Sequence, residues 1–206
     1  MPQPYEIRRG TLHDVEEYVR CHVECLAETY ADLMPPEFAA EHRRNLPEQV
    51  ERTRAAWAAA ESQPPPRTTA WLGRDAGGEV VGIVSAGPGT QDWERALGAP
   101  ATPVGFQLHH LYTRSRTHGS GLGASLLDLA VGDRETYLWI LHGNPRADRF
   151  YRRRGFAPDG AEMSCGPTWF HRTMYRLVRP GTAQPASSGS RTSSNRCRSG
   201  AERAAN

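Results

Sequence analysis

Two periods organise the apolar residues of this chain. Tyr5 to Arg9 reads as an opening strand, and Thr11 to Asp14 as a capping box. Val15, Val19, His22, Val23, Leu26 and Tyr30 then recur three or four apart, the spacing of one helix face. Pro35 and Pro36 end that helix, and residues 37–60 read as a second, more polar one rich in alanine. Pro64 to Pro66 forms a stiff connector. Two strands follow, Thr69 to Arg74 and Glu79 to Ser85, joined by a hairpin turn at Asp75-Ala76-Gly77-Gly78. Residues 87–103 are rich in Gly and Pro and read as a loop. Phe106 to Tyr112 is strand-like, and Tyr137 to Leu141 is a continuous apolar run, as expected of a strand covered on both faces. Ala161 to Ser164 and Trp169 to Val178 complete the pattern as a closing hairpin. From Gly181 onward there is no large apolar residue, so residues 181–206 are expected to be a disordered tail and residues 1–180 one domain.

Between the strand at 106–112 and the next helix lies His118-Gly119-Ser120-Gly121-Leu122-Gly123. Glycines let main-chain N–H groups converge without Cβ obstruction, and a helix start adds unpaired donors and a positive dipole end. Such a turn holds a phosphate or diphosphate. A Walker loop is excluded because the chain has no lysine. A dinucleotide fingerprint is a poor match, since Asp133 and Glu135 precede the following strand instead of ending it. After that strand, Asn144 suits a helix N-cap, Pro145 the first helical position and Gly155 the stop. Ala147, Phe150, Tyr151 and Arg154 share one face, where a small residue beside an aromatic pair can line a slot for an extended ligand arm.

Together the two motifs resemble those of the GNAT superfamily of acetyl-CoA-dependent N-acetyltransferases. The first corresponds to its Gln/Arg-x-x-Gly-x-Gly/Ala loop at His118 to Gly123, with His118 where the family prefers Gln or Arg. The second corresponds at each fixed position of Asn-x-x-Ala-x-x-Phe-Tyr-x-x-x-Gly-Phe, from Asn144 to Phe156. The resemblance implies a mixed α/β (α+β) fold, a largely antiparallel sheet of about seven strands flanked by helices. It also implies that the fourth and fifth strands splay apart to admit the thioester arm of acetyl-CoA. The backbone of Leu111, Tyr112 and Thr113 would then bond the pantetheine and the acetyl carbonyl, with Gly119, Ser120, Gly121, Leu122, Gly123, Asn144 and Ala147 completing the coenzyme site. Tyr151 takes the family's general-acid position, and a phenol with an ordinary pKa near 10 remains a proton donor at neutral pH.

Many family members carry a glutamate base where this chain has Gln107. Strand alternation puts Gln107, His109 and Leu111 on one face and His110 on the other, which makes His109 the candidate base. Arg116 is the expected phosphate contact among Arg114, Arg116, Arg149 and Arg152 to Arg154. For the acceptor, the resemblance points to residues around Tyr30 to Phe38, to the 91–94 loop and to Trp169-Phe170. Asp32, Asp92 and Glu94 would attract a cationic amine and Trp93 would pack on it. The expected activity is acetylation of a primary amine on a small molecule or peptide. The rival reading is a non-catalytic acyl-CoA-binding module, and transfer of a longer acyl group is a further alternative.

Charge and cysteine usage narrow the picture further. The formal net charge is +2, and the tail alone carries four arginines against one glutamate, so the body offers no nucleic-acid-binding surface. Cys21, His22 and Cys25 are too few for a zinc site, and the four cysteines form no disulfide framework. With no signal peptide and no long apolar span, the expectation is a cytoplasmic monomer or homodimer without a metal.

Overall fold

The computed structural model describes residues 5–62 and 67–181. The triple-proline connector and the tail beyond Gly181 lie outside the described residues. Seven strands are present: β1 (Glu6–Arg9), β2 (Thr69–Arg74), β3 (Val80–Pro88), β4 (Phe106–Thr113), β5 (Thr136–Leu141), β6 (Ala157–Ser164) and β7 (Thr173–Arg179). The helices are α1 (Val15–Tyr30), α2 (Pro36–Arg44), α3 (Leu46–Glu61), α4 (Asp92–Ala96), α5 (Leu122–Val131) and α6 (Pro145–Arg152). The strands form one sheet in the order β1-β2-β3-β4-β5-β7-β6. Every pairing is antiparallel except β4 with β5.

Three departures from the sequence expectation have local causes. The stretch 37–60 is two helices broken at Asn45, because Pro47 cannot extend α2 and instead occupies the first turn of α3. The supposed loop at 87–103 contains the short α4, capped where the Gln91 amide donates to Glu94 Oε2 at 2.6 Å. Trp169 sits in a 3₁₀ turn (Pro167–Trp169) rather than in the last strand, which starts at Thr173.

Helices cover both faces of the sheet. Leu122, Leu126 and Leu127 of α5 and Tyr151 of α6 pack with Val84, Leu108 and Leu138 on one face. Val15, Val19 and Val23 of α1 pack with Leu72 and Ile83 on the other. Gly73 and Gly82 are opposite each other in the β2–β3 ladder. A Cβ at either would lie within 2.8 Å of a Leu122 methyl, so the two glycines clear the surface on which the start of α5 rests. A third cluster joins Leu26 and Tyr30 of α1 to Phe38, Leu141, Met163 and Met174.

Glu94 is 1% exposed and anchors the segment between β3 and β4. Its Oε1 accepts from Tyr137 Oη at 3.0 Å and from Trp139 Nε1 at 2.7 Å. Nearby, the buried Arg176 guanidinium donates to Asp159 at 2.7 Å and to the Pro100 carbonyl at 2.7 Å. Removing one partner of such a buried set leaves others unsatisfied. Glu94→Ala is therefore expected to cost roughly 2–4 kcal/mol in a urea-denaturation measurement, the range for orphaning several buried donors plus the lost packing.

Candidate active site

The site begins where β4 and β5 part. Their ladder holds a single register pair, Gln107 with Tyr137, and β5 then turns to β7, with which it pairs from Thr136 to Leu141. From Leu108 onward the β4 edge facing β5 has no strand partner, while its other edge remains paired with β3. On that edge the main-chain groups of Leu111 and Thr113 line the seam that the motifs imply, with the Thr113 carbonyl 3.2 Å from His118 Nε2, whereas Tyr112 turns its own toward Ile83 of β3. A register shift at Ser85/Ala86 marks a β-bulge at His109, since Ser85 pairs with His110 and Ala86 with Leu108.

The bulge corrects the alternation expected from sequence. Leu108 and Leu111 both pack on the α5 side, whereas His110 stacks on His22 of α1 with ring centroids 4.4 Å apart. His109 therefore does not share a face with Leu111. Its Nε2 lies 3.2 Å from the Pro88 carbonyl, and it lines a 290 Å³ cleft with Thr68, Pro88 and Gln91. His109 thus leans toward β3, away from the seam.

At the end of β4 the chain makes a 3₁₀ turn and enters the glycine loop. Gly119 and Gly121 have φ of 83° and 92°, values that only glycine adopts without strain, and open space lies beyond both. The amides of His118 and Ser120 close the turn on the Ser115 and Thr117 carbonyls, and the Leu122 amide donates to Ser120 Oγ at 3.3 Å. The first helical amide with an internal partner is that of Ser125, to the Gly121 carbonyl. Among the described residues this leaves the amides of Gly119, Gly121, Gly123 and Ala124 without a protein acceptor, at the positive end of α5. The Leu122 side chain is core and takes no part in the loop surface.

Across the loop stands the start of α6. Asn144 caps it by accepting from the Ala147 amide at 3.1 Å, and Gly155 ends it with φ of 83°. Ala147 and Phe150 pack against the α5-side core, and Tyr151 lies 7% exposed among them. The Tyr151 hydroxyl makes no hydrogen bond among the described residues. Burial is the main cause that raises its pKa above the ordinary value, with Tyr30 adding to it.

Arg116, the expected phosphate contact, is corrected by its partners. It donates to Asp75 at 3.0 Å and to Glu79 at 2.7 Å, tying the loop to the β2–β3 hairpin. The cation at the loop is Arg146, whose Nη1 lies 2.7 Å from His118 Nε2, and burial plus Arg146 lower the His118 pKa. Sequence reasoning passed over Arg146; its place beside Pro145 in the first turn of α6 was the available signal. Arg114 is held by Glu28 at 2.8 Å and Arg152 by Asp148 at 2.8 Å.

The acceptor candidates do not converge. Glu94 is buried and already bonded, so it is not offered to a substrate. Asp92 is exposed and paired with Arg95, Trp93 is exposed on α4 with its Nε1 on Gln91, and Asp32 is exposed beyond α1. Tyr30 instead reaches the seam, its hydroxyl 3.3 Å from that of Tyr112. Among the described residues no group of three or more His, Cys, Asp or Glu gathers to hold a metal. None of their helices is long and apolar enough to cross a membrane.

A mixed sheet parted beside a glycine loop, with a capped helix closing the gap, defines the architecture of a coenzyme-A-dependent acyltransferase. The profile of the acetyltransferase (GNAT) family matches residues 26–156, and the chain belongs to that family, whose co-substrate is acetyl-CoA. Solved structures of similar fold include the PaiA N-acetyltransferase of Thermoplasma acidophilum in complex with coenzyme A. It is 17% identical with a TM-score of 0.62, over 85% of this chain and 98% of that one. Another is a histone acetyltransferase HPA2 and related acetyltransferase of Corynebacterium glutamicum, 22% identical with a TM-score of 0.54, over 89% and 99%. A search of curated protein sequences returns no match.

The stacked histidines carry a pH dependence. Burial pushes the His110 pKa down to about 4, and burial with His110 nearby holds His22 well below its ordinary 6.5. An unfolded histidine takes a proton near 6.5, so between about 4 and 6.5 the unfolded state binds more protons. Stability is therefore retained above 6.5 and lost as pH falls through this window. Urea midpoints taken across it are expected to drop, and His110→Phe is expected to flatten the slope by up to about 1.4 kcal/mol per pH unit.

Proposed function

We propose that this protein is an N-acetyltransferase that moves the acetyl group of acetyl-CoA to a primary amine of a small molecule or peptide, with Tyr151 as general acid. The observation that carries the reading is the row of unpartnered amides at Gly119, Gly121 and Gly123 on the start of α5, continuous with the unpaired β4 edge that leads to Tyr151. The amides and the helix dipole suit the diphosphate. The free edge at Leu111 and Thr113 suits the amide groups of the arm, and a main-chain N–H aimed at the thioester oxygen stabilises the oxyanion formed on attack. Asn144 and Ala147 shape the start of α6 beside the arm, and Arg146 replaces Arg116 as the cation facing the phosphates.

Burial keeps Tyr151 protonated past its ordinary pKa, so it can give its proton to the departing thiolate across the neutral range. Gln107 is buried and cannot accept a proton, and His109 is bonded toward Pro88. In this reading the amine enters the seam neutral, and its proton leaves to water. The rival reading, a non-catalytic acyl-CoA-binding module, draws its support from Gln107.

Thiol release from acetyl-CoA across a panel of primary amines separates the two readings. Tyr151→Phe is expected to lower kcat roughly 100-fold or more while leaving CoA binding by calorimetry nearly unchanged, and full turnover would remove Tyr151 from the acid role. His109→Ala is expected to stay within about threefold of wild type, where an essential base would cost far more. Gly121→Ala forces a strained φ and is expected to weaken CoA binding roughly 10-fold, the equivalent of the left-handed penalty.

A further inference from the structure

An amine attacking in the seam needs a group that accepts one of its N–H bonds and turns its lone pair toward the thioester carbon. The face of the seam opposite Tyr151 carries His110 and Tyr112 of β4, Tyr137 and Trp139 of β5, and His22 and Tyr30 of α1. Both carboxylates near it are committed. Glu94 accepts from Tyr137, Trp139 and the Gln91 amide, and Glu28 accepts from Arg114 at 2.8 Å and the Ser115 amide at 2.7 Å. His22 and His110 are stacked on each other, and His109 leans toward Pro88.

What remains is the contact between the last residue of α1 and the strand beside the gap. Tyr30 Oη and Tyr112 Oη are 3.3 Å apart, on residues separated by 82 positions in sequence. Tyr30 is fixed edge-on by Trp169 and Phe38, with centroids at 5.4 and 5.9 Å, and Tyr112 packs on the tilted ring of His22 at 4.9 Å. Two phenols share one hydrogen between them, so the pair keeps a second hydroxyl proton and unused oxygen lone pairs. Burial holds both phenols neutral, with each raised above its ordinary pKa.

We propose that the Tyr30–Tyr112 hydroxyl pair is the positioning element for the acceptor, accepting an N–H of a neutral primary amine on the side of the seam opposite Tyr151. The inference rests on the transferase reading above. In the step it supports, the amine nitrogen bonds the acetyl carbon and the carbon–sulfur bond breaks with its electron pair going to sulfur. Sulfur takes the Tyr151 proton, the surplus proton on nitrogen leaves to water, and water reprotonates Tyr151. The tyrosine pair aims the nucleophile and neither gains nor loses a proton overall.

The test uses the full chain, acetyl-CoA, and whichever of tyramine, spermidine, lysine and a lysine-containing peptide gives the fastest thiol release with wild type. Tyr30→Phe and Tyr112→Phe keep both rings, and CoA calorimetry confirms that each variant is folded. Each is expected to raise the acceptor KM roughly 10-fold, the scale of one neutral hydrogen bond, with the acetyl-CoA KM unchanged. The double variant is expected to match either single one, because the pair acts as a unit. An acceptor KM at the wild-type value in both single variants overturns the proposal. So does a parallel rise in the KM of both substrates, which marks general distortion. No transfer by wild type to any of the four amines overturns the transferase reading itself.

Discussion

The parting of β4 from β5 is the constraint from which the rest of the site follows. A parallel pair held by one register position leaves main-chain donors and acceptors unpaired in the middle of a sheet, where folding normally satisfies them. The break persists because each strand is secured on its far edge, β4 by β3 and β5 by β7. The bulge at His109 adds a residue to β4 just where the strands diverge. An extended chain with amides of its own is the natural partner for that edge, and the pantetheine arm of acetyl-CoA is such a chain. The glycine loop lies at one end of the seam because α5 is seated on Gly73 and Gly82, which lets Leu122 approach the sheet closely.

Charge around the seam is sorted by what each carboxylate and guanidinium already holds. Glu28, Glu94, Asp75, Glu79 and Asp148 all sit in ion pairs or hydrogen bonds with named partners. Arg114, Arg116 and Arg152 are spent on those acids, which leaves Arg146 as the cation beside the glycine loop. The α1 side of the seam is neutral by contrast, with stacked histidines held deprotonated and phenols held protonated by the same cause, burial that penalises charge. In the proposed reading, such a lining favours an amine that arrives without its extra proton, which fits a chain whose strand position 107 is an amide rather than an acid.

Much of this site was legible because it is written in main-chain requirements. A glycine that must take positive φ, a cap that must accept an amide and a proline that needs no donor act within a few residues of themselves. Gly119, Gly121, Asn144, Pro145 and Gly155 accordingly stand where the pattern puts them. The hairpin at Asp75 to Gly78 and the strand boundaries Thr69 and Arg74 were legible for the same reason. Side-chain assignments fared differently. Arg116 lies in the loop by sequence and on the neighbouring hairpin by contact, and Glu94 reads as a surface acid yet is buried beneath two aromatic donors 43 and 45 residues away.

The chain alone determined the succession of the seven strands, the glycine turn before α5 and the capped helix carrying Tyr151, since each depends on local backbone energetics and short-range spacing. Only the tertiary structure decided which way His109 points, that Leu111 and His109 face apart, and that Tyr30 meets Tyr112. One inserted bulge residue reverses side-chain alternation for the rest of a strand, and partners across the sheet settle which charges remain available to a ligand.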